Sequence, residues 1–122
     1  VMKAEGVVVR ELLRNLRKWR DEFFERIDGV IDKIACAETV EDVMRYKKSL
    51  LLVILDYMPL DAKYCYFCIV SSPSCGFYNC PYAKFHGVCS MEDSDYWEIR
   101  RNLFILRELV NSKYYSGEKY ES

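Results

Sequence analysis

The residues best equipped for chemistry are six cysteines and one histidine, and all but Cys36 fall between Cys65 and Cys89. Their order is Cys-x2-Cys-x6-Cys-x4-Cys-x8-Cys, with His86 between the last two. Cys65-Tyr66-Phe67-Cys68 is the strongest element, because two intervening residues let a tight turn aim both sulfurs at one metal ion. A CxxC followed by three more cysteines and a histidine within about two dozen residues reads as a zinc site. Zinc takes four such ligands in a tetrahedron, with Zn–S bonds of about 2.3 Å. Six candidates compete for those places. Sulfur binds more tightly than imidazole in a structural site. Cys80-Pro81 gives a stiff turn, and Gly87 supplies permissive backbone beside Cys89. The expected ligands are therefore Cys65, Cys68, Cys80 and Cys89, with Cys75 as first alternate and His86 as second.

Other chemistries fit the same residues. An iron–sulfur cluster also uses four cysteines and a Cys-Pro, although the repeated x2 gaps of ferredoxins are missing. A disulfide could close the segment, as Cys75 with Cys80 or Cys89, and a metal on some cysteines could coexist with a bridge between others. A catalytic thiol with His86 as base has no acidic orienter or oxyanion loop beside it, so no catalytic residue is assigned and no enzyme is expected. Cys36, near the apolar residues Val30 and Ile34, is expected as a buried core thiol. Seven aromatics crowd the segment: Tyr64, Tyr66, Phe67, Phe77, Tyr78, Tyr82 and Phe85. They could stack bases, but packing the cysteine segment against helices is the simpler use.

The elements that must position these residues are helical. Val9, Leu12, Leu16, Trp19, Phe23, Ile27, Val30 and Ile34 recur every three or four residues, which predicts one helix over residues 7–36. The spacing is close to a coiled-coil seam. Leu13, Phe24 and Ile31 are expected to widen that stripe into a core face. Thr39 is an expected N-cap with acids in the following turn, opening a second helix over 40–57 that Met58-Pro59 ends. Its broad apolar side is read as Val43, Met44, Lys47, Leu50, Leu51, Ile54 and Leu55. Residues 60–93 form the cysteine-rich loop. Ser94 is an expected N-cap for a third helix over 95–112, carrying Tyr96, Trp97, Ile99, Leu103, Leu106 and Val110. The tail, 113–122, is polar apart from its tyrosines. The fold class is thus all-α in a single domain: a long antiparallel helical hairpin plus a third helix, with a metal-stapled loop between helices two and three.

Charge is uneven although the net charge is only −1. Residues 1–20 hold six bases against Glu5 and Glu11, whereas residues 21–44 hold eight acids against Arg26 and Lys33. In an antiparallel hairpin Arg45 and Lys48 are expected to meet Asp28 or Asp32. Arg10, Arg14 and Arg17 make a basic stripe at i, i+4 and i+7. It is either the solvated back of an amphipathic helix or a contact for nucleic acid or an acidic partner. The longest apolar runs, 49–55 and 65–70, are too short to span a bilayer, and the start has no signal-peptide pattern. A cytoplasmic protein with no membrane role is expected. The chain has no Gln, one Thr and 30% charged residues, the bias of a hyperthermophile, where intracellular disulfides are tolerated.

The run Cys65-Tyr66-Phe67-Cys68, Cys75, Cys80-Pro81-Tyr82, Gly87-Val88-Cys89 and Tyr96-Trp97 resembles small uncharacterised cysteine-knuckle proteins of phages and archaeal viruses. The resemblance covers about residues 50–110. It implies a metal and a viral or mobile-element origin, hence a host cytoplasm, and no reaction. The expected function is a binding or adaptor module with a structural zinc, meeting a protein partner or a second copy. Nucleic acid, through Arg10, Arg14, Arg17 and the aromatic knuckle, is the alternative. An iron–sulfur or disulfide-stabilised protein is third. No small-molecule substrate is identified.

Overall fold

The first helix, α1, runs unbroken from Gly6 to Ala35 in the computed structural model, which describes residues 3–71, 91–92 and 94–115. Its half-buried positions are Val9, Leu12, Asn15, Leu16, Trp19, Phe23, Ile27, Val30 and Ile34, with Val8 buried. These are the residues whose three-and-four spacing forms one stripe, joined by Asn15. Proline is absent from the helix, and Gly29 is tolerated in its interior with nothing within 4 Å of where a Cβ would stand. The helix ends where the Cys36 amide bonds back to the Asp32 carbonyl at 3.1 Å. Cys36 is an exposed free thiol, contrary to the core thiol expected. It stands two residues beyond Ile34 and so falls out of phase with the apolar stripe.

Thr39 opens α2, Val40–Asp56, in extended backbone, and its hydroxyl accepts the Asp42 amide at 3.1 Å. After Pro59 come a single 3-10 turn, Ala62–Tyr64, and a short helix α3, Tyr66–Ser71. The beginning of the expected cysteine-rich loop is therefore helical. The last helix, α4, spans Asp95–Lys113. Among the described residues there are four α-helices and no strand, so the chain is all-α.

Two units make up the chain: Val1–Arg20 with Pro59–Arg101, and Asp21–Met58 with Asn102–Ser122. Both α1 and α4 contribute to each. In the second unit the Phe23 and Tyr57 rings stack with centroids 5.8 Å apart, and the Arg26 guanidinium lies 5.7 Å from the Tyr57 centroid. Arg107 of α4 donates to Asp56 of α2 at 2.8 Å, and the Lys48 ammonium donates to the Asn111 carbonyl at 2.6 Å. These contacts turn α2 about its axis relative to the sequence reading. Met44, Lys48, Leu51 and Leu55 are half-buried, while Val43, Lys47 and Ile54 are exposed. The expected ion pairs of Arg45 and Lys48 with Asp28 or Asp32 are replaced as well. Arg45 pairs with Asp42 one turn back on its own helix, and Lys48 is taken up by Asn111. On α4, Leu103, Arg107 and Val110 are half-buried, whereas Trp97, Ile99 and Leu106 are exposed.

Candidate metal and disulfide centre

The first unit builds a polar frame around the start of the cysteine segment. The Glu5 amide donates to the Tyr66 hydroxyl at 2.8 Å, and the Asn15 side-chain amide donates to the Lys63 carbonyl at 2.8 Å. Both bonds hold the 3-10 turn and α3 against the beginning of α1. From the other side the Tyr96 hydroxyl donates to the Leu60 carbonyl. Arg100 reaches the Tyr96 oxygen at 3.4 Å and the Asp61 carboxylate at 3.8 Å. Asn15 explains itself here: it interrupts no apolar position of α1, and it satisfies a backbone carbonyl that the turn leaves open.

Cys65 and Cys68 sit at the centre of this frame. Cys65 precedes α3 in extended backbone, φ −112° and ψ 122°, and its carbonyl accepts the Ile69 amide at 3.1 Å. That is an N-cap position, and Cys68 is the third residue of the helix it opens. Thr39 and Ser94 stand in the same relation to Asp42 and Trp97, with their hydroxyl oxygens 3.1 Å from those amides. The two-residue gap of Cys-x2-Cys is thus the spacing from N-cap to third helical residue, which is why it brings both side chains to one side of the turn. Cys68 is 9% exposed and disulfide-bonded. Cys65 is half-buried and a free thiol.

The other expected ligands, Cys75, Cys80, Cys89 and His86, lie outside the described residues. So do Phe77, Tyr78, Tyr82 and Phe85. Among the described residues no three His, Cys, Asp or Glu side chains gather to hold a metal ion. The bonded sulfur of Cys68 is not a thiolate, and zinc requires thiolates. Cys68 therefore fits a metal only after reduction, whereas Cys65 is a free thiol as it stands.

Three of the segment's aromatics are described. Tyr66 accepts the bond from Glu5, Phe67 meets Tyr66 edge-on with centroids 5.8 Å apart, and the Lys63 ammonium lies 5.3 Å from the Tyr64 centroid. The first two act as packing, which agrees with the simpler of the two readings. Arg10, Arg14 and Arg17 are exposed along α1. An open depression of about 470 Å³ is lined by Glu22, Glu25, Arg26 and Tyr57. Arg26 covers the Tyr57 ring there, and no group in it is set up as a nucleophile or a paired acid and base. The sequence reading singled out none of these four as a lining; only the antiparallel placement of Phe23 and Tyr57 could have found it. No helix among the described residues is long and apolar enough to cross a membrane. No family model, curated protein or solved structure matches the chain.

Proposed function

We propose that this chain is a small helical interaction module that associates with a second copy of itself, its cysteine segment acting as a staple and not as an active centre. One observation carries the reading: each long helix leaves apolar side chains uncovered. Val8 and Cys68 are the buried apolar residues among those described, while Phe24, Ile31, Val43, Ile54, Phe104, Ile105 and Leu109 are more than a third exposed. Scattered apolar residues are normal on any surface, but rows of them along helices mark interaction sites. A row that is apolar on one copy is apolar on the next, so a second copy is the natural cover. The stacking of Phe23 on Tyr57 supports an antiparallel hairpin of α1 and α2 beneath it. Sedimentation equilibrium tests the reading. Mass rising toward a closed oligomer with concentration is expected, and a monomer at every concentration would reject it.

The staple has two forms. The disulfide at Cys68 favours a covalent one, in line with the tolerance of hyperthermophiles for intracellular disulfides. Under reducing conditions, zinc on Cys65, Cys68, Cys80 and Cys89 is the alternative, and its binding energy is folding energy. Elemental analysis before and after reduction separates the two. Nucleic acid remains the second partner class, because Arg10, Arg14 and Arg17 are all exposed. Retention on DNA that falls steeply with salt would favour it.

A further inference from the structure

Leu13, Phe24 and Ile31 are 39%, 54% and 46% exposed on α1. They stand eleven and seven residues apart, close to three and two turns of helix, so they share one stripe about 27 Å long. This stripe lies apart from the half-buried one and does not widen it, contrary to the sequence expectation. Beside it runs a row at nearly heptad spacing: Arg10, Arg14 and Arg17, then Asp21, Glu25, Asp28 and Asp32. The row is basic in its first half and acidic in its second.

That order opposes the helix's own electrostatics. A helix is stabilised by acids near its N-terminus and bases near its C-terminus. The first turn of α1 holds no acid, and of its last turns only Lys33 follows the rule. Pairing within the chain does not account for the order either, since the bases of α2 that could meet Asp28 and Asp32 are engaged at Asp42 and Asn111.

We infer that two copies of this chain pair antiparallel along the Leu13–Phe24–Ile31 stripe of α1, the basic half of each row facing the acidic half of the other. The inference rests on the self-association proposed above and names its surface. With the two-fold axis near residue 22, Leu13 of one copy lies opposite Ile31 of the other. Arg17 then comes within one residue of Asp28, and Arg14 within two of Asp32, at both ends by symmetry. A parallel pair would set bases against bases and acids against acids. Surface ion pairs of this kind fix orientation more than strength, while the apolar stripe supplies the attraction.

The test is charge reversal read by sedimentation equilibrium at low salt, with circular dichroism confirming that each variant keeps its helices. The wild-type chain is expected to dimerise, and to do so less as salt rises. R14E/R17E is expected to weaken dimerisation by about tenfold or more. The quadruple variant R14E/R17E/D28K/D32K is expected to dimerise again, because reversing both halves restores opposite charges only in the antiparallel pair. Phe24→Ser with Ile31→Ser should weaken the dimer at every salt concentration. Self-association that ignores all these changes would overturn the α1 pairing and leave the interaction module standing. A wild-type chain that stays monomeric throughout would overturn both.

Discussion

Ser94 is the most enclosed of the described side chains, 2% exposed. Its hydroxyl donates to the Met91 carbonyl at 2.8 Å and accepts the Trp97 amide at 3.1 Å. It closes the turn before α4 and caps the helix with one oxygen. Replacing it by alanine leaves a buried amide and a carbonyl without that partner, so Ser94→Ala is expected to lower stability by about 1–2 kcal/mol, measured by chemical denaturation. Thr39 makes the same cap in an exposed setting, where water substitutes for the lost oxygen, and Thr39→Ala should cost less than Ser94→Ala. The cysteines give a sharper expectation. Peptide mapping without reduction should find Cys68 linked to Cys75, Cys80 or Cys89, with Cys36 and Cys65 alkylated as free thiols. Cys36 should react faster than Cys65, because it is exposed and Cys65 is half-buried. Finding Cys65 in a disulfide and Cys68 free would overturn the assignment.

At the scale of elements, α1 illustrates what spacing encodes and what it does not. The stripe from Val9 to Ile34 was legible because its three-and-four steps admit a single inward face. Both N-caps were legible because Thr39 and Ser94 each precede a periodic run with acids in its first turn. The rotation of α2 was not. Val43 and Met44, like Leu50 and Leu51, are adjacent apolar residues, and only the engagement of Lys48 and Asp56 with α4 decides between them. The inward face of α4 was hidden for a related reason: Trp97, Phe104, Ile105, Leu106 and Leu109 surround its axis, so composition marks no side. Of the candidate metal ligands, the chain order of Cys65 and Cys68 could be read, but their oxidation could not, since a Cys-x2-Cys spacing serves zinc and disulfides alike. Gly29 offers a test of α1 itself. It lies in the helix interior with open space around its missing Cβ. Gly29→Ala should therefore stabilise the chain by about 0.4–1 kcal/mol through the unfolded state. A loss of stability would mean that something covers that position.

The whole molecule is short of buried apolar surface for its composition. Half of its residues are hydrophobic, 51%, yet large side chains such as Phe104, Ile105 and Leu109 stay exposed among those described. Burial is the main favourable term in folding, at about 25 cal/mol for each Å² of apolar surface, so a lone chain of this design forgoes part of the stabilisation its sequence carries. Two devices make up the difference. A disulfide at Cys68 restricts the unfolded chain, and association covers surface that folding leaves open. These act differently on thermal unfolding. Association contributes by mass action, so a chain that folds as a dimer has a Tm that climbs with protein concentration. A disulfide lies within one chain and shifts Tm equally at every concentration. Melting curves followed by circular dichroism over a hundredfold range of concentration, with and without reductant, should therefore separate them. Reduction should lower all the curves together, and dilution should lower Tm in both series. The R14E/R17E variant should respond to reduction as the wild type does, but hardly to dilution. A wild-type Tm independent of concentration would leave the exposed apolar rows without a stabilising role, and the staple would then account for the fold alone.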